Sequence, residues 1–323
     1  YTPLFGSGRD FVLDALEKDG FSQVHLVKKQ AGFDGKFPGL RKPNPEEPEV
    51  FRIAEREALQ EHADLMIATD PDSDRIGAGV IQDSKAFFFT GNQIGALLAD
   101  FLSRQGSVKG KIMVTTIVTG DLGSRIVTSR GATVIHTLTG SKFVCEEMNH
   151  MEAGEFLLGY EESHGYIGGM HIRDKDGVLA AMLLCETAAW HKTQGRTLLD
   201  ALEDLYQEYG YYIDEQDSFV FEGAKGAKEM QRIMARLRSR RGSVFAPLGK
   251  PDKILDYEKG VDELPRSNVL KFFFSNGSWV AVRPSGTEPK IKFYYCIRGK
   301  DQRQAENLYG AVQTSVEEFL RTF

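Results

Sequence analysis

"LMIATDPDSDRIG", residues 65–77, runs an apolar stretch directly into three aspartates at alternate positions, Asp70, Asp72 and Asp74, followed by Arg75. Residues 65–69 have the length and apolarity of a buried strand that ends at a proline turn. Upstream, Gly8–Lys18 has helical spacing, with Asp10 near its start and Phe11, Leu13 and Leu16 apolar. "QVHLVKK" (23–29) alternates like a strand. Four prolines between Pro38 and Pro48 predict an extended loop, because each removes a backbone donor and restricts the residue before it. Residues 51–62 are again helical by period. This alternation predicts an α/β unit with a parallel sheet.

The pattern restarts near Val108, in "VKGKIMVTTIVTG". A helix over Asp121–Ser129, a strand over 132–136, the strand of "GEFLLGYEESHG" and helices over Gly177–Lys192 and 197–209 make a second α/β unit. The tail differs. A basic amphipathic helix (225–241) precedes three strands in "VLKFFFSNGSWVAVRPSGTEPKIKFYYCI", the first two joined at Asn276-Gly277, a hairpin signal. A helix over Gln302–Leu320 closes the chain. The expected fold class is α/β, two related α/β sheet domains followed by a small α+β domain, with domains at 1–105, 106–222 and 223–323.

Composition narrows the function. The 323 residues are 41% hydrophobic and 27% charged, with net charge −6 and no basic block, which argues against a general nucleic-acid binder. No apolar run approaches the roughly 20 residues of a membrane span, and no secretory signal opens the chain. Cys145, Cys185 and Cys296 are scattered, as in a cytoplasmic protein with reduced thiols. Tyr1 stands where a methionine would begin a gene product, and the strand end and glycine turn after it predict a piece cut from a longer protein.

Three loops carry chemistry. Carboxylates at i, i+2 and i+4 after Asp70 can converge on one hard cation, and without it they repel. A calcium EF-hand fits poorly, since its sixth position would be Arg75 instead of Gly and its twelfth Ile81 instead of Glu. Mg²⁺ suits three monodentate oxygens better, and Arg75 beside it would attract a phosphorylated ligand. The alternative is a solvated acidic turn. The second loop, "GYEESHGYIGGMHIRDKDG" (159–177), offers Glu161 and Ser163 for sugar hydroxyls, with His171, Arg173 and Lys175 as cations or proton carriers. Its alternative is a surface loop with ordinary ion pairs. The third, "RPSGTEPK" (283–290), has the composition of a phosphate clamp in Arg283, Ser285, Gly286 and Thr287, without the spacing of a Walker loop. A wide hairpin turn is its plain alternative.

"TDPDSDR", "GYEESHGY" and "RPSGTEPK" together resemble the metal, sugar and phosphate loops of the α-D-phosphohexomutase superfamily, phosphoglucomutases and phosphomannomutases among them. "PNPEEPE" (43–49), "TLTGSKFV" (137–144) and "HIRDKDG" (171–177) resemble segments of its phosphoglucomutase branches, and the likeness runs the whole chain. The resemblance implies domains two, three and four of a four-domain enzyme, the last similar to the TATA-binding-protein fold. The family's first domain carries a phosphorylated serine in a Thr/Ala-Ser-His-Asn-Pro motif. These 323 residues contain no such motif, so the chain alone is expected to be inactive.

By resemblance, Asp70, Asp72 and Asp74 hold Mg²⁺, and Arg75 steadies the phosphoryl group. Glu161, Ser163 and Arg173 contact the sugar phosphate, and Arg283, Ser285, Gly286 and Thr287 take the phosphate that is not reacting. Lys175, then His171, then Lys142 are the candidates for proton transfer. The implied reaction interconverts glucose 1-phosphate and glucose 6-phosphate through glucose 1,6-bisphosphate, in a monomeric, cytoplasmic isomerase of carbohydrate metabolism with no nucleic-acid or membrane partner. Alternatives are a phosphomannomutase, another sugar-phosphate mutase such as a phosphopentomutase, or a non-catalytic sugar-phosphate-binding protein.

Overall fold

Val12 and Leu16, four residues apart, form the buried stripe of α1 (Gly8–Lys18) together with Gly8. Phe11 is 68% exposed, so the apolar face is displaced from the one that Phe11 would mark. Ser7 takes the cap position, and Asp10 pairs with Arg9. The computed structural model describes residues 1–152, 154–285 and 289–323. Its contacts divide the chain into two units, Tyr1–Leu205 and Tyr206–Phe323.

In the first unit, a 3₁₀ turn (Pro48–Phe51) leads into α2 (Arg52–Glu61). Then β1 (Met66–Thr69), β2 (Ile76–Gln82) and β3 (Lys85–Phe89) form an antiparallel sheet in that order. The expectation of a parallel sheet here is corrected. Only residues 70–75 join β1 to β2, and a link that short cannot make a crossover, which needs a dozen residues or more. The parallel element is a single bridge, Thr2 to Ala68. Residues 23–29 form no strand. They are held by Tyr1, whose terminal amine donates to the His25 carbonyl at 2.6 Å and whose carbonyl accepts from Val27 N–H at 2.9 Å. Leu4, Val27, Val50, Phe51, Ala54, Ala58, Met66 and Ala68 pack together beneath.

α3 (Gly91–Arg104) begins with a reciprocal cap between Thr90 and Gln93. The parallel sheet appears next. β4 (Ile112–Thr116), α4 (Asp121–Ser129), β5 (Thr133–Thr137), α5 (Ser141–Met148) and β6 (Phe156–Tyr160) give parallel pairs β4–β5 and β4–β6. A short β7 (Tyr166–Ile167) returns antiparallel to β6, and α6 (Gly177–Lys192) and α7 (Leu198–Tyr209) follow. The end of β6 is fixed by Tyr160, buried against two glycines. A Cβ on Gly95 would lie 2.3 Å from the Tyr160 ring, and one on Gly123 would lie 2.4 Å from its hydroxyl.

The second unit is a five-stranded antiparallel sheet, made by β8 (Tyr211–Val220), β9 (Lys253–Asp256), β10 (Leu270–Phe273), β11 (Trp279–Pro284) and β12 (Lys290–Gly299) in the order β8-β12-β11-β10-β9. α8 (Gly223–Arg240) and α9 (Gln302–Leu320) cover one face. Alternation selects that face: Ile291, Phe293, Tyr295 and Ile297 of β12 pack with Leu237 of α8 and Val312 and Val316 of α9. The β10–β11 hairpin closes through residues 275–277, with Gly277 at φ 86° and Asn276 right-handed or extended, one residue longer than the tightest turn.

Leu237 is fully buried in this core. Leu237→Ala should cost about 2–5 kcal/mol. In a Trp190→Phe background Trp279 alone reports on the second unit, so urea unfolding followed by its fluorescence should show an earlier transition. An unmoved transition would exclude α8 from that core.

Candidate functional site

The aspartate loop is a hairpin bend held on both sides. Within it, Ser73 N–H donates to the Asp70 carbonyl at 3.0 Å, and Ser73 sits at φ 61°. Arg75 N–H donates to Asp70 Oδ1 at 3.0 Å. On one side, Ser7 N–H donates to the Pro71 carbonyl at 2.8 Å, and a Cβ on Gly6 would lie 2.3 Å from Pro71 Cα. On the other, Arg75 and Gly165 form an antiparallel bridge, which joins this loop to the one after β6. Ile76 N–H donates to the His164 carbonyl at 3.2 Å, and His164 Nδ1 lies 2.9 Å from the Ile76 carbonyl. His164 is buried, at φ 64°, and burial lowers its pKa. It serves as a neutral structural strut.

This architecture brings one carboxylate oxygen each from Asp70, Asp72 and Asp74 within 4.8 Å of one another. Asp70 is buried, Asp74 half-buried and Asp72 exposed. Burial, then the neighbouring Asp74 and Asp72, push Asp70 up to about 7, against the Arg75 N–H that favours its charged form. A carboxyl cluster strained in this way fits a divalent cation, which would remove the repulsion and offset the desolvation. An EF-hand is ruled out by the backbone, because β2 occupies the positions that would complete its loop.

Two cations meet the cluster. Arg75 donates from Nη1 to Glu46 Oε1 at 2.7 Å, while its Nε stays 3.7 Å from Asp74 and 3.9 Å from Asp70. Lys175 Nζ donates to Asp74 Oδ2. The backbone aims Lys175: Asp176 N–H donates to the Tyr166 carbonyl at 2.9 Å, and Gly177 N–H to the Ser73 carbonyl at 3.0 Å. Glycine is required at position 177, since a Cβ there would lie 2.6 Å from the same Ser73 oxygen.

Glu161 leaves the end of β6 buried, its Oε1 accepting Gly140 N–H at 2.8 Å. Burial and then Glu162 raise its pKa, opposed by that N–H and by the charges of Lys175 and Arg75. Ser163 is half-buried beside it. Asp70, Asp72, Asp74 and Arg75, Glu161 and Ser163, and Lys175 therefore lie on three connected segments, 70–75, 161–165 and 168–176, tied together by the contacts above. His171, Arg173 and Lys142 are exposed. His171 lies 3.9 Å from Asp176, Arg173 donates to Asn149 at 3.1 Å, and Lys142 rests over the Phe143 ring. In the second unit, Arg283 is the penultimate residue of β11 and Ser285 N–H donates to the Lys290 carbonyl at 2.8 Å. Gly286 and Thr287 lie outside the described residues.

The sequence reading gave no role to four contributors. Glu46 sits in the proline-rich segment with no helical or strand pattern to point at it. Gly140 acts through its backbone, and its left-handed φ of 119° is the reason for glycine there. Thr116 and Thr119 hydroxyls donate to Glu162 at 3.2 and 3.1 Å, a contact that spans more than forty residues of sequence.

Three family models match this chain in succession: phosphoglucomutase/phosphomannomutase alpha/beta/alpha domain II over residues 1–82, alpha/beta/alpha domain III over 90–209, and the C-terminal domain over 220–312. The chain belongs to the phosphoglucomutase/phosphomannomutase family. Among its relatives, the phosphoglucomutase of Staphylococcus haemolyticus is 35% identical over 97% of this chain and 59% of its own length. That of Staphylococcus epidermidis is 36% identical over 92% of this chain and 57% of its own. The chain thus spans under three-fifths of those relatives. Two solved structures share the fold: parafusin, a phosphoglucomutase from Paramecium, at TM-score 0.71 and 22% identity over 98% of this chain and 56% of that one, and a phosphomannomutase-type protein from Thermus thermophilus at 0.66 and 20%, over 98% and 60%. Among the described residues, no helix is long and apolar enough to cross a membrane.

A carboxyl raised in the folded state stabilises that state in its neutral form. The contribution of Asp70 is therefore full below its ordinary value of 3.8 and lost as pH rises through about 7. In chelator, the melting temperature should fall between pH 5 and 8, and Asp70→Asn should flatten that fall. An identical slope in the variant would show that Asp70 is charged throughout.

Proposed function

We propose that these residues are the metal-, sugar- and phosphate-binding part of a Mg²⁺-dependent phosphoglucomutase, which interconverts glucose 1-phosphate and glucose 6-phosphate by way of glucose 1,6-bisphosphate. The phosphoserine would come from outside the 323 residues, and the chain alone would not turn over substrate. The observation that carries this reading is the convergence of Asp70, Asp72 and Asp74 at a strand end, beside Arg75 of the same loop, with Glu161 on the loop bridged to it and Lys175 reaching Asp74 from the segment before α6.

Mg²⁺ held by the three aspartates would neutralise charge on the phosphoryl group in flight, the main demand of such a transfer. Asp70, Asp72 and Asp74 bind and orient it. Arg75 steadies the phosphoryl oxygens. Glu161 and Ser163 accept and donate hydrogen bonds to sugar hydroxyls, in either of the two orientations that the bisphosphate must adopt. Arg283 and Ser285, with Gly286 and Thr287, hold the phosphate that is not reacting, and Arg173 lies within the substrate-binding set. As the bond between phosphorus and the serine oxygen breaks and one to the sugar oxygen forms, the sugar hydroxyl gives up its proton and the departing serine oxygen takes one up. Lys175 is the first candidate for carrying a proton, because it lies against Asp74 and close to Glu161. Its ammonium form would donate to the departing oxygen, and only its neutral amine would accept the hydroxyl proton. His171 and Lys142 come after it as candidates. The relatives named phosphoglucomutase support glucose over mannose as the sugar.

Calorimetric titration with glucose 1,6-bisphosphate and Mg²⁺ should show binding that Arg283→Ala weakens at least tenfold, the loss expected for a bidentate guanidinium–phosphate contact. Equal binding by the variant would remove the clamp. In an active mutase containing these residues, Lys175→Ala should lower kcat about 10²–10⁴-fold with little change in KM. Unchanged kcat would exclude Lys175 as the proton carrier.

A further inference from the structure

The Arg75 guanidinium faces three carboxylates and, among the described residues, hydrogen-bonds to one of them, while its backbone N–H is given to Asp70. Its Nη1 lies 2.7 Å from Glu46 Oε1, a charge-assisted hydrogen bond. Its Nε stays 3.7 Å from Asp74 Oδ1 and 3.9 Å from Asp70 Oδ2, beyond hydrogen-bond length. Both partners are about three-quarters buried, so their pairing is weakly screened: the Arg75 side chain is 31% exposed and that of Glu46 22%.

The loop that carries Glu46 is built to hold that carboxylate in place. Glu46 N–H donates to Asn44 Oδ1 at 3.0 Å, and Glu47 N–H donates to the Asn44 carbonyl at 3.0 Å. Pro45 and Pro48 flank the turn. The Pro45 carbonyl lies so close to Gly77 of β2 that a Cβ there would come within 2.4 Å of it. Glu46 thus reaches back, from 29 residues away, to the side chain just after the metal loop.

We infer that Glu46 is a positioning residue that keeps the Arg75 guanidinium off the metal-ligating oxygens of Asp70 and Asp74. A guanidinium released from Glu46 needs to move only about 1 Å to reach hydrogen-bond distance from either aspartate. It would then neutralise the carboxylates itself and compete with the divalent cation. Glu46 also fixes where the guanidinium points, and so where it can meet a phosphoryl oxygen.

The role rests on cation binding at the aspartate loop, so the test begins there. Mn²⁺ binding to the whole chain is measured by electron paramagnetic resonance, with Mg²⁺ as competitor, for the unaltered protein, Glu46→Gln, Arg75→Gln and the double variant. Glu46→Gln should weaken Mn²⁺ binding about tenfold when Arg75 is present and have no effect when Arg75 is replaced, the non-additivity expected of two groups acting through one contact. A simple change of local field, or a loosened loop, would weaken binding equally in both backgrounds, and that result would overturn the positioning role while leaving the metal site standing. Absence of Mn²⁺ binding to the unaltered chain would overturn the metal reading itself, and the role of Glu46 with it.

Discussion

Three carboxylates at the end of one strand repel each other, and much of the first unit is arranged around that repulsion. The hairpin forces them together, because residues 70–75 must reverse the chain while Asp70 stays buried. The cost shows in Asp70, whose proton is held up to about pH 7. Two cations ease it, Lys175 reaching Asp74 from 101 residues away and Arg75, next to Asp74 in sequence, held between Glu46 and the aspartates. Neither ion pair would be worth much on an open surface. Here the side chains are mostly covered and the backbone on each side is tied, so the charges keep their places without relying on attraction alone.

The helices were the most legible part of the sequence. Gly8–Lys18, Asp121–Ser129, Gly177–Lys192 and Gln302–Leu320 stand where the sequence reading put them, each opening at or next to a glycine or an acidic residue, with Gly177–Lys192 apolar nearly all round and not striped. The β2–β3 hairpin was not legible. Its turn is Asp83-Ser84, both left-handed at φ 50° and 61°, and the dipeptide lacks the glycine that usually marks such a turn. The wrong sheet type in the first unit has a neighbouring cause: the alternation was read over residues 8–69 and did not include β2, the strand that returns antiparallel to β1 after only six residues.

The site divides in the same way. The aspartates, Glu161 and Lys175 could be read because their residue types cluster within short loops. Phe11 misled because a helix of that length allows two apolar stripes, and only packing selects one. Glu46 and Gly140 were silent, for their roles are set by a fold contact and a backbone N–H, and neither leaves a pattern in composition.

The bridge between Arg75 and Gly165 has a consequence for ligand recognition. One residue after Arg75 begins β2, and four residues before Gly165 stands Glu161, so the backbone that gathers the three aspartates is tied directly to the backbone that presents the Glu161 carboxylate. His164, locked between them in a left-handed conformation, leaves little slack for either loop to shift alone. Two ligands that share such a strut are thermodynamically linked: whatever order one imposes on it, the other inherits, and each must change the affinity of the other by the same factor. On the proposed function, recognition of the sugar and recognition of the ion would be two readings of a single equilibrium.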